Sequence, residues 1–346
     1  MKKFNTTAVC IPSKHYIVDI TDRVKEIKKL VDNGDYFTIN RARQYGKTTT
    51  LRALKQILID EYIVLSLSFD GMSHANFETE MTFVKALCRM LKNDNSIWET
   101  VPGETKEKLD DYINRKEEQA ALDELFIALR EWCAISDKPL VLFIDEVDSA
   151  TNNQVFLDFL ALLRNGYIAR ESEDRPSFQS VILAGVTDVK HLKSKIRGEA
   201  EAKENSPWNI AADFNIDMSL SEDGIKGMLD EYENDHHTGM DTGEIARLIR
   251  EYTNGYPFLV SRICQVIDQG MLPEAFCGRD DLWTEDGIIE AVKYIIAEKN
   301  TLFDSLMGKV RSFDSLRNKL KELLFTGEAV AYMQYNKEQE ELLVRR

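Results

Sequence analysis

Residues 36–50 read Tyr36-Phe37-Thr38-Ile39-Asn40-Arg41-Ala42-Arg43-Gln44-Tyr45-Gly46-Lys47-Thr48-Thr49-Thr50. Tyr36 to Asn40 has the composition of a short strand. A polar turn follows, and then Thr48 to Asp60, where Leu51, Leu54, Ile57 and Leu58 recur at helical spacing. Strand, Gly-Lys-Thr and helix in that order is the context a phosphate-binding loop requires. Backbone N–H groups at the helix start would cradle phosphate oxygens. Lys47 would reach the outer phosphates, and the Thr48 hydroxyl would ligate Mg²⁺. The usual pattern, GxxxxGK[ST], has a glycine where this chain has Arg41, and a β-carbon there restricts positive-φ conformations. By itself the stretch has two readings, a phosphate loop or a chance Gly-Lys-Thr at a helix start.

A second stretch separates them. Val141-Leu142-Phe143-Ile144-Asp145-Glu146 is an apolar strand ending in two carboxylates, and it resembles a Walker B motif. Asp145 would hold the Mg²⁺ through water, and Glu146 would polarise an attacking water. In an open α/β sheet both motifs belong at the carboxyl edge, where ligands bind. A third stretch, Ser180 to Asp188, is another buried strand with Thr187 and Asp188 at its tip. By resemblance to P-loop ATPases of the AAA type, either residue could sense the outermost phosphate, and either could equally cap a helix. Lys190, His191, Lys193, Lys195 and Arg197 follow with no acidic residue between them. That run has three readings: a solvated helix face, an arginine finger for a neighbouring subunit in a homo-oligomer, or a nucleic-acid contact.

The rest of the first half keeps the same rhythm. Strands are expected at Tyr62–Phe69, Leu140–Ile144, Ser180–Val186 and, as a fifth, Phe214–Leu220. Helices are expected at Asn76–Leu91, Ala120–Ile135 and Phe156–Leu163, with the polar stretch 92–110 as an excursion from the sheet. Continuous apolar runs such as Leu140–Ile144 suit strands covered on both faces, as in a parallel sheet. The expected fold class is α/β: a P-loop NTPase parallel sheet flanked by helices, followed by an α-helical lid domain. Residues 1–220 form the first domain and 221–300 the helical lid, which opens on an N-cap at Ser221. Residues 301–346 are helical and could begin a winged helix, with Gly327–Tyr335 as a weak strand; the charged ending at Arg346 reads as a cut from a longer protein.

Composition narrows the setting. The chain has 346 residues, with 44 Lys+Arg against 59 Asp+Glu and a net charge of −15. Such a surface repels nucleic acid and anionic membranes, so contact with either must be local. No apolar run approaches the roughly 18 residues of a membrane span, and the N-terminus lacks a secretory pattern, so a cytoplasmic location is expected. The five cysteines include no CxxC pair and read as reduced thiols. His236 and His237 would point about 100° apart on a helix, and nothing near them completes a metal-ligand set.

Three stretches together resemble the bacterial AAA-like ATPases, a group related to AAA+ and STAND-class NTPases. Phe37 to Thr48 is similar to that group's own phosphate loop, in which arginines replace the first glycine and an aromatic precedes Gly-Lys-Thr. Leu142 to Glu146 is similar to its Walker B, and Asn254-Gly255-Tyr256-Pro257-Phe258-Leu259 to the GxP signature of a STAND-type helical domain. The resemblance spans residues 10–270 and implies ATP binding, Mg²⁺ dependence and a five-stranded parallel core with a helical lid. It also implies a nucleotide site drawn from Arg41, Arg43, Gln44, Tyr45, Gly46, Lys47, Thr48, Thr49 and Thr187, with Pro257 packing near the nucleotide. Arg164 falls in a segment shared with the same group. Some related ATPases carry a C-terminal nuclease; Glu104-Thr105-Lys106 and Glu201-Ala202-Lys203 have the letters of its ExK tripeptide, but neither lies on a predicted strand, so no nuclease is expected.

The functional expectation is an Mg-dependent ATPase in which Lys47, Asp145 and Glu146 carry catalysis and nucleotide state moves the lid or an unidentified protein partner or effector domain. Two alternatives stand beside it. One is a non-hydrolysing switch or scaffold that holds ATP or ADP, motivated by Arg41. The other is a nucleic-acid-associated module, suggested by Arg311, Arg317, Lys319 and Lys321 and disfavoured by the net charge.

Overall fold

The structure is a computed structural model. It describes residues 2–7, 9–115, 122–151, 153–186, 189, 208–272, 282–298, 301–312 and 314–326. In chain order the elements are α1 (Thr21–Asp32), β1 (Tyr36–Asn40), α2 (Lys47–Leu58), β2 (Ile63–Ser68), α3 (Glu80–Asn93), α4 (Asn95–Trp98), α5 (Gly103–Asn114), α6 (Leu122–Ile135), β3 (Leu140–Asp145), α7 (Gln154–Glu173) and β4 (Ser180–Gly185). Then come α8 (Glu222–His236), α9 (Thr242–Thr253), α10 (Pro257–Asp268), α11 (Glu285–Ala297), α12 (Thr301–Ser312) and α13 (Asp314–Thr326). Single 3₁₀ turns, His74–Phe77 and Val147–Ala150, precede α3 and α7.

The chain divides into two compact units. One comprises Asp22–Arg41 and Thr50–Ile216, and contains the sheet. Its four strands are all parallel, in the order β1-β4-β3-β2. Every residue of β3 and β4 is buried. That is why both read as unbroken apolar runs: helices cover both faces of a parallel sheet. The core includes Trp132, Phe143, Phe156, Phe159 and Trp208, all 2% exposed or less. Helix α3 starts at a capping box, in which the Thr79 side chain accepts from Thr82 N and Thr82 Oγ1 accepts from Thr79 N.

The fifth strand expected at Phe214–Leu220 is not formed. A single bridge, Phe37 to Ala212, is all that pairs on that side of β1 among the described residues. The backbone beyond it finds other partners. The Ile216 carbonyl accepts from the Arg41 guanidinium at 3.1 Å, and the Asp217 side chain accepts from Ser219 N at 2.8 Å. Short polar side chains that bond the nearby backbone compete with a strand ladder. Phe214 still packs, stacked on Phe37 at 5.8 Å between ring centroids. The stretch 92–110, read as a polar excursion, is largely helical, in α4 and the first part of α5. Gly327–Tyr335 lies outside the described residues.

The second unit comprises Met1–Thr21, Ala42–Thr49 and Asp217–Arg346. Helices α8 to α11 build its core around Ile225, Leu229, Tyr232, Ile249, Ile263 and Ile288. Ser221 caps α8 by accepting from Gly224 N at 3.1 Å. The N-terminal segment belongs to this core: Phe4 and Tyr16 are buried against Tyr232, and the Tyr16 hydroxyl donates to Asp235 at 2.8 Å. Nothing in the segment's own periodicity announces that placement.

Candidate nucleotide site

The backbone of residues 42–49, expected from sequence to bind phosphate, is strained. Gln44 (φ +59°) and Gly46 (φ +80°) are both left-handed, while Arg43 before them and Tyr45 between them are not. Glycine takes that conformation at no steric cost, and a polar residue such as glutamine does so rarely. Alternation of this kind lines successive backbone N–H groups onto one concave side, an anion-binding nest. Helix α2 begins at Lys47, so the loop leads directly into a helix N-terminus, the positive end of the helix dipole. Thr48 is exposed, and Thr49 Oγ1 accepts from Cys10 N at 3.4 Å. The Lys47 ammonium is buried and donates to the Ala42 carbonyl at 3.0 Å, lying along its own loop.

Arg41 solves the missing-glycine problem simply. It is not among the positive-φ residues, so its β-carbon is accommodated. Its guanidinium donates to the Asn40 and Ile216 carbonyls and lies 5.4 Å from the Phe214 ring centroid, while its backbone N donates to Gly185 O at 3.1 Å. The arginine pins residues 214–216 beside β1.

In the sheet-bearing unit, β3 ends on Asp145, a carboxylate only 6% exposed. Its Oδ1 accepts from Glu146 N at 2.9 Å. Glu146 is left-handed, at φ +54°. A non-glycine residue in that region marks a place where surrounding structure dictates the backbone. Asp148, two residues on, is part of that structure. Its Oδ2 accepts from Val186 N at 2.6 Å, tying the 3₁₀ turn after Glu146 to the end of β4. The approach is close enough that a β-carbon on Gly185 would lie 2.9 Å from Asp148 Oδ2. The sheet order sets β4 between β1 and β3, so the carboxyl ends of the three strands share one edge. Asp148 was not singled out from sequence; the signal available was a third carboxylate on the turn after the strand. Thr187, Asp188, Lys190 and residues 191–197 lie outside the described residues.

The turn Asn254–Pro257 joins α9 to α10. Asn254 caps α9 in the left-handed region, Gly255 follows at φ +69°, and Pro257 opens α10, where its missing N–H costs nothing. The residue that touches the loop is Tyr256. Its hydroxyl donates to the Arg43 carbonyl at 2.5 Å, and its ring meets Tyr45 edge-on with centroids 4.8 Å apart. Arg164, in the other unit, donates to the Asn209 side chain at 3.0 Å.

The profile of the AAA-like domain matches residues 4–274. The chain belongs to the AAA-like domain family. The fold agrees: this AAA-like chain is similar to a Walker-type ATPase of Pyrococcus abyssi, with 13% identity and a TM-score of 0.59 over 99% of this chain and 93% of that one. Two Aeropyrum pernix structures are similar at lower scores. They are the ORC2 protein in ADPNP–ADP complexes (14% identity, TM-score 0.47, 98% of this chain and 87% of that one) and the ORC1 protein in complex with DNA (8% identity, TM-score 0.44, 95% and 82%). No curated protein matches the sequence. Family and fold agree on the architecture, a parallel sheet of the P-loop NTPase class flanked by helices. Among the described residues, no helix is long and apolar enough to cross a membrane.

Proposed function

We propose that this chain binds Mg·ATP on the 42–49 loop, hydrolyses it, and passes the change of nucleotide state to the helical segment 221–300 or to a partner. What supports this reading above all is the loop: left-handed Gln44 and Gly46 leading into a helix that starts at Lys47. The donor set suits a magnesium polyphosphate. Backbone N–H groups and the Lys47 ammonium match phosphate oxygens; the Thr48 hydroxyl and Asp145 carboxylate are the hard oxygen ligands that Mg²⁺ prefers. Bound Mg²⁺ would neutralise charge developing on the terminal phosphate. In this reading Lys47 lengthens its reach by exchanging the Ala42 carbonyl for phosphate oxygen. Glu146 orients a water and takes its proton, with its backbone preset by the Asp148–Val186 tie. Its left-handed turn serves orientation, at a cost in strain.

The test is calorimetric titration of Mg·ATP into the protein and into Lys47→Ala. Binding by the wild type that the variant loses is expected; equal binding by both would remove Lys47 from the site. Hydrolysis has its own test. Glu146→Gln should keep ATP binding and lower turnover by roughly 10²-fold or more. Unchanged turnover would dismiss Glu146 as the water-activating residue, and absent turnover in the wild type would favour the non-hydrolysing switch.

A further inference from the structure

The phosphate loop lacks the first glycine of its pattern and carries a left-handed glutamine instead. Something must hold that shape, and Tyr256 is placed to do so. Two contacts of different kinds reach the loop from this residue: the hydroxyl on the Arg43 carbonyl at 2.5 Å and the ring edge against Tyr45 at 4.8 Å and 78°. The Arg43 carbonyl and the Gln44 N–H belong to one peptide unit, and no peptide bond among the described residues is cis. A trans peptide is planar, with its N–H pointing opposite to its C=O. Holding the Arg43 carbonyl on Tyr256 therefore aims the Gln44 N–H to the other side. A nest built on left-handed Gln44 and Gly46 about Tyr45 would collect its donors on that side.

Tyr256 stands on a stiff support. Gly255 N donates to Thr253 Oγ1 at 3.1 Å, and Leu220 N donates to Gly255 O at 2.8 Å. A β-carbon on Gly255 would fall 2.2 Å from the Leu220 carbonyl oxygen. Pro257 fixes φ on the other side. The hydroxyl is thus delivered to the loop from a turn with little freedom of its own.

We propose that Tyr256 is a positioning residue for polyphosphate recognition: it orients the Arg43–Gln44 peptide so that the loop's N–H groups face the phosphates, and thereby links loop conformation to helix α10. This rests on the reading of the 42–49 loop as the nucleotide site. The ligand class it serves is the polyphosphate chain, whatever nucleoside is attached.

The experiment compares wild type, Tyr256→Phe and Tyr16→Phe by titration with Mg·ATP, Mg·ADP and magnesium tripolyphosphate. Tyr16→Phe removes a different hydroxyl, the one donating to Asp235, from the same unit and controls for general loosening. Tyr256→Phe should weaken all three ligands alike by roughly 3- to 10-fold, the worth of one neutral hydrogen bond, while Tyr16→Phe leaves them unchanged. Affinities within about twofold of wild type in Tyr256→Phe would overturn the inference. So would a loss that spares tripolyphosphate, which would put Tyr256 on the nucleoside, or an equal loss in Tyr16→Phe. Should the wild type bind none of the three, the nucleotide reading itself fails, and hydrogen exchange decides the inference separately. Faster exchange at the Gln44 and Tyr45 amides in Tyr256→Phe supports the brace; equal rates overturn it.

Discussion

Glu146 bears two demands that conflict. Its carboxylate suits a water-orienting role, and its backbone sits at φ +54°, a region that costs an L-residue about 1–2 kcal/mol. Glu146→Gly should therefore be between neutral and about 1 kcal/mol more stable by denaturant unfolding, with hydrolysis lost, because relief of strain is partly offset by glycine's greater unfolded-state entropy. A clear loss of stability would mean that the carboxylate itself holds the turn. Asp148 should behave the opposite way. Asp148→Ala removes a charged acceptor from Val186 N and should cost about 1.5–3 kcal/mol, whereas Asp148→Asn keeps an oxygen there and should cost less. The cysteines give a further check. Burial pushes the Cys88 and Cys133 thiols up to about 12, so neither supplies much thiolate at pH 8. Alkylation of the folded protein at that pH should spare Cys88 until denaturant is added, as peptide mass mapping would show.

At the scale of elements, the α9–α10 turn is the sharpest test. Gly255 combines a left-handed φ with no room for a side chain against Leu220. Gly255→Ala should destabilise the helical unit by about 3 kcal/mol or more, combining backbone strain with overpacking, measured by loss of helical circular dichroism on heating. Ser221→Ala, at the cap of α8, should cost only about 1 kcal/mol. Most elements of the sheet-bearing unit were legible in advance because their signals are local. Buried parallel strands show as apolar runs, and α2 shows its 3.6-residue stripe. The failed strand at Phe214–Leu220 is instructive because its alternation is genuine: Phe214, Met218 and Leu220 are buried. Burial of alternate side chains does not make a ladder when the Ile216 carbonyl is taken by Arg41 and Asp217 bonds its own neighbours.

At the scale of the whole molecule, a net charge of −15 predicts weak attraction to polyanions. Duplex DNA should give no shift of the protein in gel electrophoresis at about 50 mM salt, where phosphate contacts are strongest; a shift there would revive the nucleic-acid reading. Mg·ATP, by contrast, should raise the apparent stability by mass action, about 2.7 kcal/mol at a hundred times its Kd, with no change in Lys47→Ala. The strand–loop–helix order around residues 42–46, the apolar strand closing on Asp145, and the Ser221 cap could all be read from residues adjacent in the chain, because each is a local pattern with a local physical cause. The strand order, the gathering of residues 1–21 and 42–49 with the helices after Asp217, and the partners of Arg41, Asp148 and Tyr256 could not. Those contacts join residues from 38 to 213 positions apart. Periodicity in a single chain records which side of an element is buried, but it holds no information about which distant group will meet it there; only the packed structure brings the Tyr256 hydroxyl to the Arg43 carbonyl.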